Sequence, residues 1–315
     1  MKKRILITGG AGFIGSHLAR RCIADGHLVT VLDNLTTGFA TNIPGGCNVI
    51  NADIADPETL SLLPSEGFDV IMHLAAQSSG EVSQENPDLD LKVNTLATLM
   101  LLKWSMQNQV KRFLYASSMA VYGNPERLPV RETDPCLPLS FYGISKVASE
   151  HYIRHYASEG LDTTVFRMFS VYGPGQNMEN LKQGMVSIFL AYLSKNEEIL
   201  VKGDRNRFRD YIYIDDVVDA WCSSVDNPAS FKKTYNLATG KKTCVHELVD
   251  AEIRLFGRDR DTYPVRYHGS TPSDQFGLYA DISAIRRDLD WSPKIDLEEG
   301  LKRMIAWVKE GHRQS

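Results

Sequence analysis

The sequence predicts an α/β fold: a doubly wound, mainly parallel sheet with a smaller C-terminal α/β lobe. Three observations predict it. Short apolar runs alternate with helix-like segments through the first half, a glycine-rich turn joins the first run to the first helix, and beyond Tyr172 the alternation loosens. A βαβα rhythm covers both faces of a parallel sheet with helices, so its strands read as nearly continuous apolar runs.

The elements follow in order. Candidate strands are RILIT (4–8), HLVTVLD (27–33), CNVINAD (47–53), DVIMHLA (69–75), RFLYAS (112–117) and DTTVFRM (162–168). Helical patterns lie between them, chiefly FIGSHLARRCIADG from Phe13 and LKVNTLATLMLLKWSMQNQ from Leu91. After the Pro/Gly turn GPGQN (173–177) comes a long helix-like stretch, and then YIYIDDVVDAWCSSV reads as strand into helix. The loop-rich tail HGSTPSDQFGLYADISAIRRDLDWSP ends in an amphipathic helix, LEEGLKRMIAWVKEG. A lobe built from these later segments caps the strand ends and leaves a crevice for ligands.

Composition narrows the function classes. The 315 residues are 43% hydrophobic and 23% charged, the balance of a soluble globular protein with a large core. Net charge is −4, from 35 basic and 39 acidic residues without a block of either sign. Nucleic-acid and anionic-membrane partners need clustered cations and are not expected. The opening MKKR resembles the charged start of an export signal, but the apolar run behind it breaks at Thr8, so neither export nor a membrane span is expected. Cys22, Cys47, Cys136, Cys222 and Cys244 are scattered with no C-x-x-C pair, which fits free thiols in a reducing cytoplasm. His151 and His155 have a metal-ligand spacing but no third ligand, so no metal is expected. Trp221, Trp291 and Trp307 are expected in core and interface.

The glycine turn ITGGAGFIG carries the first chemistry. Gly9, Gly12 and Gly15 stand between a strand and a helix, where the backbone approaches a pyrophosphate closely and the helix N-terminus offers N–H groups and a positive dipole end. Asp33 ends the second strand, where a carboxylate accepts from both ribose hydroxyls and repels the 2′-phosphate of NADP, which favours NAD. Asp53, at the next strand end, is a candidate for the adenine amino group, with the Ile54 amide alongside. Two later stretches add an acid–base pattern: YASSMAVYG (115–123) and SFYGISKVASEHY (140–152). Tyr142 and Lys146 share a helix face at i and i+4. An ammonium and a cationic nicotinamide both favour phenolate, so the Tyr142 pKa is expected to fall from its usual value of about 10. Ser118, at a strand end, is expected to give the substrate oxygen its second hydrogen bond.

Taken together, TGGAGFIG, LDN at Asp33, HLAAQ (73–77), SSMAVYG, YGISK and RDYIYIDDVVDA resemble the extended short-chain dehydrogenase/reductase family in its NAD-dependent epimerase/dehydratase branch, of the UDP-glucose/UDP-galactose 4-epimerase type. The resemblance runs from residue 4 to about 305 with the motifs in the family's order. It implies a Rossmann domain over 1–170, rejoined by 208–240, holding NAD, and a sugar-nucleotide lobe from 171–207 and 241–315. It implies a cofactor site of Gly9, Gly12, Phe13, Ile14, Gly15, Asp33, Asn34, Gly38, Asp53, Ile54, Leu74, Ala75, Ala76, Gln77, Asn94, Tyr142 and Lys146. Catalysis would fall to Ser118, Tyr142 and Lys146, and binding of a UDP-linked sugar to Ser118, Ser170, Arg209 and Asp274. A homodimer through helices over 92–109 and 144–158 is also implied.

Within the family, dehydratases and decarboxylases carry an acid between the serine and V-Y-G, where this chain has Met119 and Ala120. That favours simple redox at one carbon, and Asp33 disfavours an NADPH-dependent reductase. C4 epimerisation through a transient 4-keto sugar, with Tyr142 as acid and base, is the expected activity. A nucleotide-sugar 4-reductase, a dehydratase and a non-catalytic NAD sensor are the alternatives. Two departures touch substrate handling: Ser170 stands for the usual asparagine in RMFSVYGPGQ, and Thr271 for the usual arginine in TPSD. Arg209 is left as the expected phosphate partner, because guanidinium binds phosphate bidentately. Leu278 is expected near the sugar, leaving room for a larger group such as N-acetyl.

Overall fold

A computed structural model describes residues 1–64, 66–269 and 275–311. The first half supplies strands β1 (Arg4–Thr8), β2 (Leu28–Asp33), β3 (Asn48–Asn51), β4 (Val70–His73), β5 (Arg112–Ser118) and β6 (Asp162–Met168). Its helices are α1 (Phe13–Ala24), the short α2 (Gly80–Glu85) and α3 (Pro87–Asp90), α4 (Ala97–Gln107) and α5 (Phe141–Ser158). Beyond β6 come β7 (Ser170–Tyr172), α6 (Met185–Lys195), β8 (Ile199–Lys202), β9 (Phe208–Arg209), β10 (Tyr211–Tyr213), α7 (Ile214–Ser224) and β11 (Lys233–Leu237). The chain ends with β12 (Thr243–Cys244), α8 (Val245–Phe256), β13 (Val265–His268), α9 (Ser283–Leu289) and α10 (Leu297–Lys309).

Seven strands form one sheet in the order β11-β6-β5-β4-β1-β2-β3. Every pairing in it is parallel. The strand alternation is legible in the packing. Ile5 and Ile7 turn toward the layer holding Leu18 of α1 and Trp221 of α7, while Leu6 faces the layer of Leu101 and Leu102 of α4 and Ile153 of α5. All of these side chains are fully buried or nearly so, as the central strands of a two-sided parallel sheet must be. The chain winds outward from β1 in both directions, so the crevice at the carboxyl ends of β1 and β4 is the switch point where such sheets bind ligands.

The helix expected over 91–109 is divided. Leu91–Leu96 is π-helical and α4 follows it. The wider turn aims side chains at α5: Asn94 Nδ2 donates to Ser145 Oγ at 3.1 Å and Thr95 Oγ1 to the Ser145 carbonyl at 3.1 Å. π-turns of this kind recur at functional sites.

The C-terminal part uses short pairings: β8 with β13, β9 with β12, and β7 with β10. Helices α6, α8 and α10 pack together beneath them. By contrast α7 packs on α1, and β11 joins the main sheet beside β6. Trp221 and Trp291 are buried in this core. No described helix is long and apolar enough to cross a membrane.

Candidate active site

The glycine turn closes tightly over the carboxyl end of β1, in the middle of the sheet. Gly9 leaves β1 with φ +72°, and a Cβ there would stand 2.7 Å from the Ala75 amide nitrogen. A Cβ on Gly15 would strike the Gly9 carbonyl oxygen. The turn therefore lies flat against the 74–77 loop, whose Leu74 and Ala75 amides donate to the Thr8 carbonyl at 3.1 Å and the Thr8 hydroxyl at 3.2 Å. Gly12 caps α1 with no side chain, so Phe13 and Ile14 open the helix with first-turn amides and a positive dipole end suited to a pyrophosphate. The segment at Gly38 closes over the turn, the Phe39 amide donating to the Ala11 carbonyl at 3.2 Å.

Asp33, buried at the end of β2, stiffens this cradle. Its Oδ2 accepts from the Ala11 amide at 2.9 Å and its Oδ1 from the Leu35 amide at 2.8 Å. Each oxygen keeps a further lone pair for a ribose hydroxyl. The neighbouring Asn34 is exposed, its Oδ1 accepting from the Thr36 amide at 3.1 Å. Asp53 is exposed too and heads a turn, Oδ1 accepting from the Ala55 amide at 2.8 Å, with Ile54 buried beside it.

A buried hydroxyl–imidazole chain supports the cradle from below. Thr98 Oγ1 donates its single proton to the Asn94 carbonyl at 2.6 Å, so across its 2.9 Å contact with His73 Nε2 the imidazole is the donor. His73 Nδ1 then accepts from Thr8 Oγ1 at 2.7 Å. Burial, reinforced by the Lys146 ammonium, pushes the His73 pKa down to about 3, so the ring stays neutral.

Asn94, expected at the cofactor, turns inward instead. It is 1% exposed. Its two Nδ2 protons are shared among the Gln77 carbonyl and Asp90 Oδ1, each at 3.0 Å, and Ser145 Oγ at 3.1 Å, while its Oδ1 accepts from the Gln77 amide at 2.9 Å. It shapes the loop of Ala76 and Gln77, and both of its amide N–H groups are engaged within the protein. Gln77 Nε2 donates to the Ser79 carbonyl and to Asp90 Oδ1, both at 3.0 Å.

Ser118, Tyr142 and Lys146 converge at the carboxyl end of β5. Ser140 caps α5, its hydroxyl accepting from the Gly143 amide at 3.1 Å. This sets Tyr142 in the first turn, near enough to Ser118 for the serine hydroxyl to act on its phenol. Ser118 Oγ also accepts from the Ala120 amide at 3.2 Å. One turn on, Lys146 is 2% exposed and its Nζ donates to the Ala116 carbonyl at 2.9 Å. Its ammonium is 5.8 Å from the Tyr142 ring centroid and 4.8 Å from that of Tyr115.

The protonation balance departs from the expected one. Burial pushes the Tyr142 pKa up to about 12; the Ser118 hydrogen bond pulls against this, and the Asp90 carboxylate adds to it. Burial likewise pushes Lys146 down to about 8, against the pull of Asp90 and Glu150. The protein alone thus holds Tyr142 as a phenol. The drop expected from the i, i+4 spacing needs a further positive charge, because burial sets the balance at Tyr142 and Lys146 is not among the groups that shift it.

In the C-terminal part, Ser170 opens β7 and donates its amide to the Asp210 carbonyl at 3.0 Å. Arg209 is buried with Nη1 donating to the Phe208 carbonyl at 2.8 Å and Nη2 to the Gln275 carbonyl at 3.0 Å; burial lowers its pKa to about 10. Asp210, which the sequence reading passed over, accepts from the Thr239 and Gly240 amides at 2.8 Å and from the Ala280 amide at 3.3 Å. It fixes the β9–β10 corner that carries Arg209. Leu278 is fully buried in the apolar core, so it opens no space beside a sugar. Thr271 and Asp274 lie outside the described residues. The roles of Asp90, Asp210 and His73 were missed. His73 and Asp210 left signals, as the first letter of HLAAQ and the second of RDYIYIDDVVDA, while Asp90 left none.

The doubly wound sheet and its open glycine turn are those of a dinucleotide-binding α/β protein. The model of the NAD dependent epimerase/dehydratase family matches residues 5–238. A UDP-glucose 4-epimerase of Mycolicibacterium smegmatis is 34% identical over 313 residues, covering 97% of this chain and 98% of the relative. The structure of a UDP-glucose 4-epimerase from Thermotoga maritima, solved with UDP-glucose, superposes with a TM-score of 0.92 at 34% identity, over 98% of this chain and 100% of that one. That of Thermus thermophilus UDP-glucose 4-epimerase, solved with NAD, gives 0.90 at 33% identity, over 97% of this chain and 99% of that one. The chain belongs to the NAD dependent epimerase/dehydratase family, as an NAD-dependent enzyme of the epimerase type.

Proposed function

We propose that this enzyme inverts C4 of a UDP-linked sugar, with Tyr142 as acid and base. The observation that carries the reading is the convergence of Ser118, Tyr142 and Lys146 at the carboxyl end of β5, on a sheet whose switch point holds the glycine turn.

The glycine turn, the α1 N-terminus and Asp33 fit NAD, since the close backbone approaches leave room for a pyrophosphate and the carboxylate awaits a ribose. When bound, NAD supplies a hydride acceptor and donor at C4 and a positive charge beside Tyr142. Tyr142 takes the proton of the C4 hydroxyl and later returns it, so no net redox occurs. Ser118 donates to the same oxygen and holds it as a carbonyl in the 4-keto sugar. Lys146 keeps a positive charge behind the phenol and holds the nicotinamide ribose. The sugar turns over about its diphosphate link between the two transfers. Met119 and Ala120, beside Ser118, offer no second acid or base, which supports epimerisation over elimination. Arg209 is the diphosphate partner in this reading.

The proposal divides the chain into a dinucleotide unit, 1–170 with 208–240, and a substrate lobe, 171–207 with 241–315. The return of α7 and β11 to the main sheet supports it. It includes a homodimer, supported by exposed Leu89, Leu91 and Leu96 ahead of α4 beside exposed Phe141, Ile144 and Tyr152 on α5. It also includes a cytoplasmic location, supported by five cysteines that are all free thiols.

The test is incubation of purified protein with a panel of UDP-sugars, without added cofactor, read by NMR. Interconversion of C4 epimers is expected. Turnover only on addition of NADPH would replace the reading with a 4-reductase.

A further inference from the structure

We propose that Asp90 is a positioning residue of the active site: its buried carboxylate is the counter-charge of Lys146, and through Lys146 and Tyr142 it sets the pH range over which the site works. The inference rests on the reading of Tyr142 and Lys146 given above.

Asp90 closes α3, immediately before the π-turn, and is 1% exposed. Its Oδ1 takes hydrogen bonds from the side chains of Gln77 and Asn94, both at 3.0 Å. Its Oδ2 is also buried and has no hydrogen-bond partner among the described residues. The groups around it are the neutral Gln77, Asn94, Ser83 and Ser145, and the one charge that faces it is Lys146 of α5. Among the described residues no cation lies within ion-pair distance of it.

Lys146 in turn faces two carboxylates, Asp90 and Glu150. Its other close neighbours are the Ala116 carbonyl, the rings of Tyr115 and Tyr142, and the neutral His73. Glu150 is already neutralised. Arg167 grips it with Nη2 to Oε2 at 2.7 Å and Nε to Oε1 at 3.0 Å, and the Ser117 hydroxyl donates to it at 2.5 Å. That leaves Asp90 as the uncompensated negative charge in the lysine's surroundings. The latch from Asp90 through Asn94 to Ser145, the residue before Lys146, fixes the carboxylate against α5. The same latch reaches the loop of Gln77, so one carboxylate ties the proposed cofactor loop to the helix bearing Tyr142.

The sign follows from the charges. A buried carboxylate holds Lys146 protonated to higher pH and resists ionisation of Tyr142. Asp90→Asn keeps an oxygen for Gln77 and Asn94 but removes the charge. Lys146 should then titrate lower by about one unit, and both limbs of the pH profile of kcat/KM should move to lower pH.

The experiment follows the Lys146 side chain by NMR in lysine-labelled protein, assigned by the signal lost in Lys146→Met, for the parent, Asp90→Asn and Asp90→Glu. The expected result is a downward shift in Asp90→Asn and a return toward the parent in Asp90→Glu, which restores the charge. An unmoved Lys146 titration in a folded Asp90→Asn protein overturns the proposal, as does an Asp90→Asn protein whose only change is an earlier thermal unfolding. The NMR readout needs no turnover. Full activity in Tyr142→Phe would sink the assignment of the base while leaving the Lys146 titration to decide the role of Asp90.

Discussion

Replacing Lys146 by methionine should make the cofactor-free protein more stable while removing its activity. The ammonium is 2% exposed and burial lowers its pKa from 10.5 to about 8. At 1.36 kcal/mol per unit, the folded state carries a cost of about 3 kcal/mol for holding this charge at pH 7. Methionine fills a similar volume without a charge, but it forfeits the bond to the Ala116 carbonyl, worth about 1 kcal/mol. The net gain is about 2 kcal/mol, or a rise of roughly 4 °C in Tm for a domain of this size. The sign with pH is fixed. A lysine whose folded pKa is depressed costs stability below that value, and the cost fades as pH rises from about 8 toward 10.5. Urea unfolding of NAD-stripped parent and Lys146→Met proteins at pH 7 and pH 9.5 measures this. The variant should be the more stable at pH 7, and its advantage should shrink at pH 9.5. A variant less stable than the parent at pH 7, with a difference that ignores pH, would refute the reasoning.

Tyr142→Phe should lower epimerisation by about 10²–10⁴-fold while retaining NAD, measured by turnover alongside cofactor content. Gly15→Ala, whose methyl meets the Gly9 carbonyl, should lose NAD affinity in a fluorescence titration. Arg167→Leu strands the buried Glu150 carboxylate and should cost about 3–5 kcal/mol in urea unfolding, since the pair at 2.7 Å is sealed from water. Leu91→Glu combined with Ile144→Glu, both on exposed apolar helix faces, should shift the mass seen by light scattering from that of the proposed dimer to that of a monomer.

The sheet was legible because each central strand is buried on both sides, so its apolar run needed no partner to be read. RILIT became β1 at Arg4–Thr8, and DTTVFRM became β6 at Asp162–Met168. The two-residue pairing of Phe208–Arg209 with Thr243–Cys244 left no periodicity, because its register is set by distant chain. The residue types of the candidate site were legible too, but not the balance of forces at them. Spacing put Lys146 beside Tyr142, yet it could not show that desolvation, and not the neighbouring charge, sets the balance at each of them. Asn94 came only with the family resemblance, while its inward turn depends on the π-turn at Leu91–Leu96, which leaves the same apolar pattern as an α-helix.

That π-turn also bears on which lengths of chain the fold accepts. A π-turn closes its hydrogen bonds one residue further along than an α-turn, so it holds one extra residue over nearly the same rotation. Removing one residue between Leu91 and Leu96 would leave Leu101 and Leu102 in the core and Asp90 against α5, and would take away the wide turn that brings Asn94 and Thr95 to Ser145. A deletion here would spare the scaffold and undo the latch.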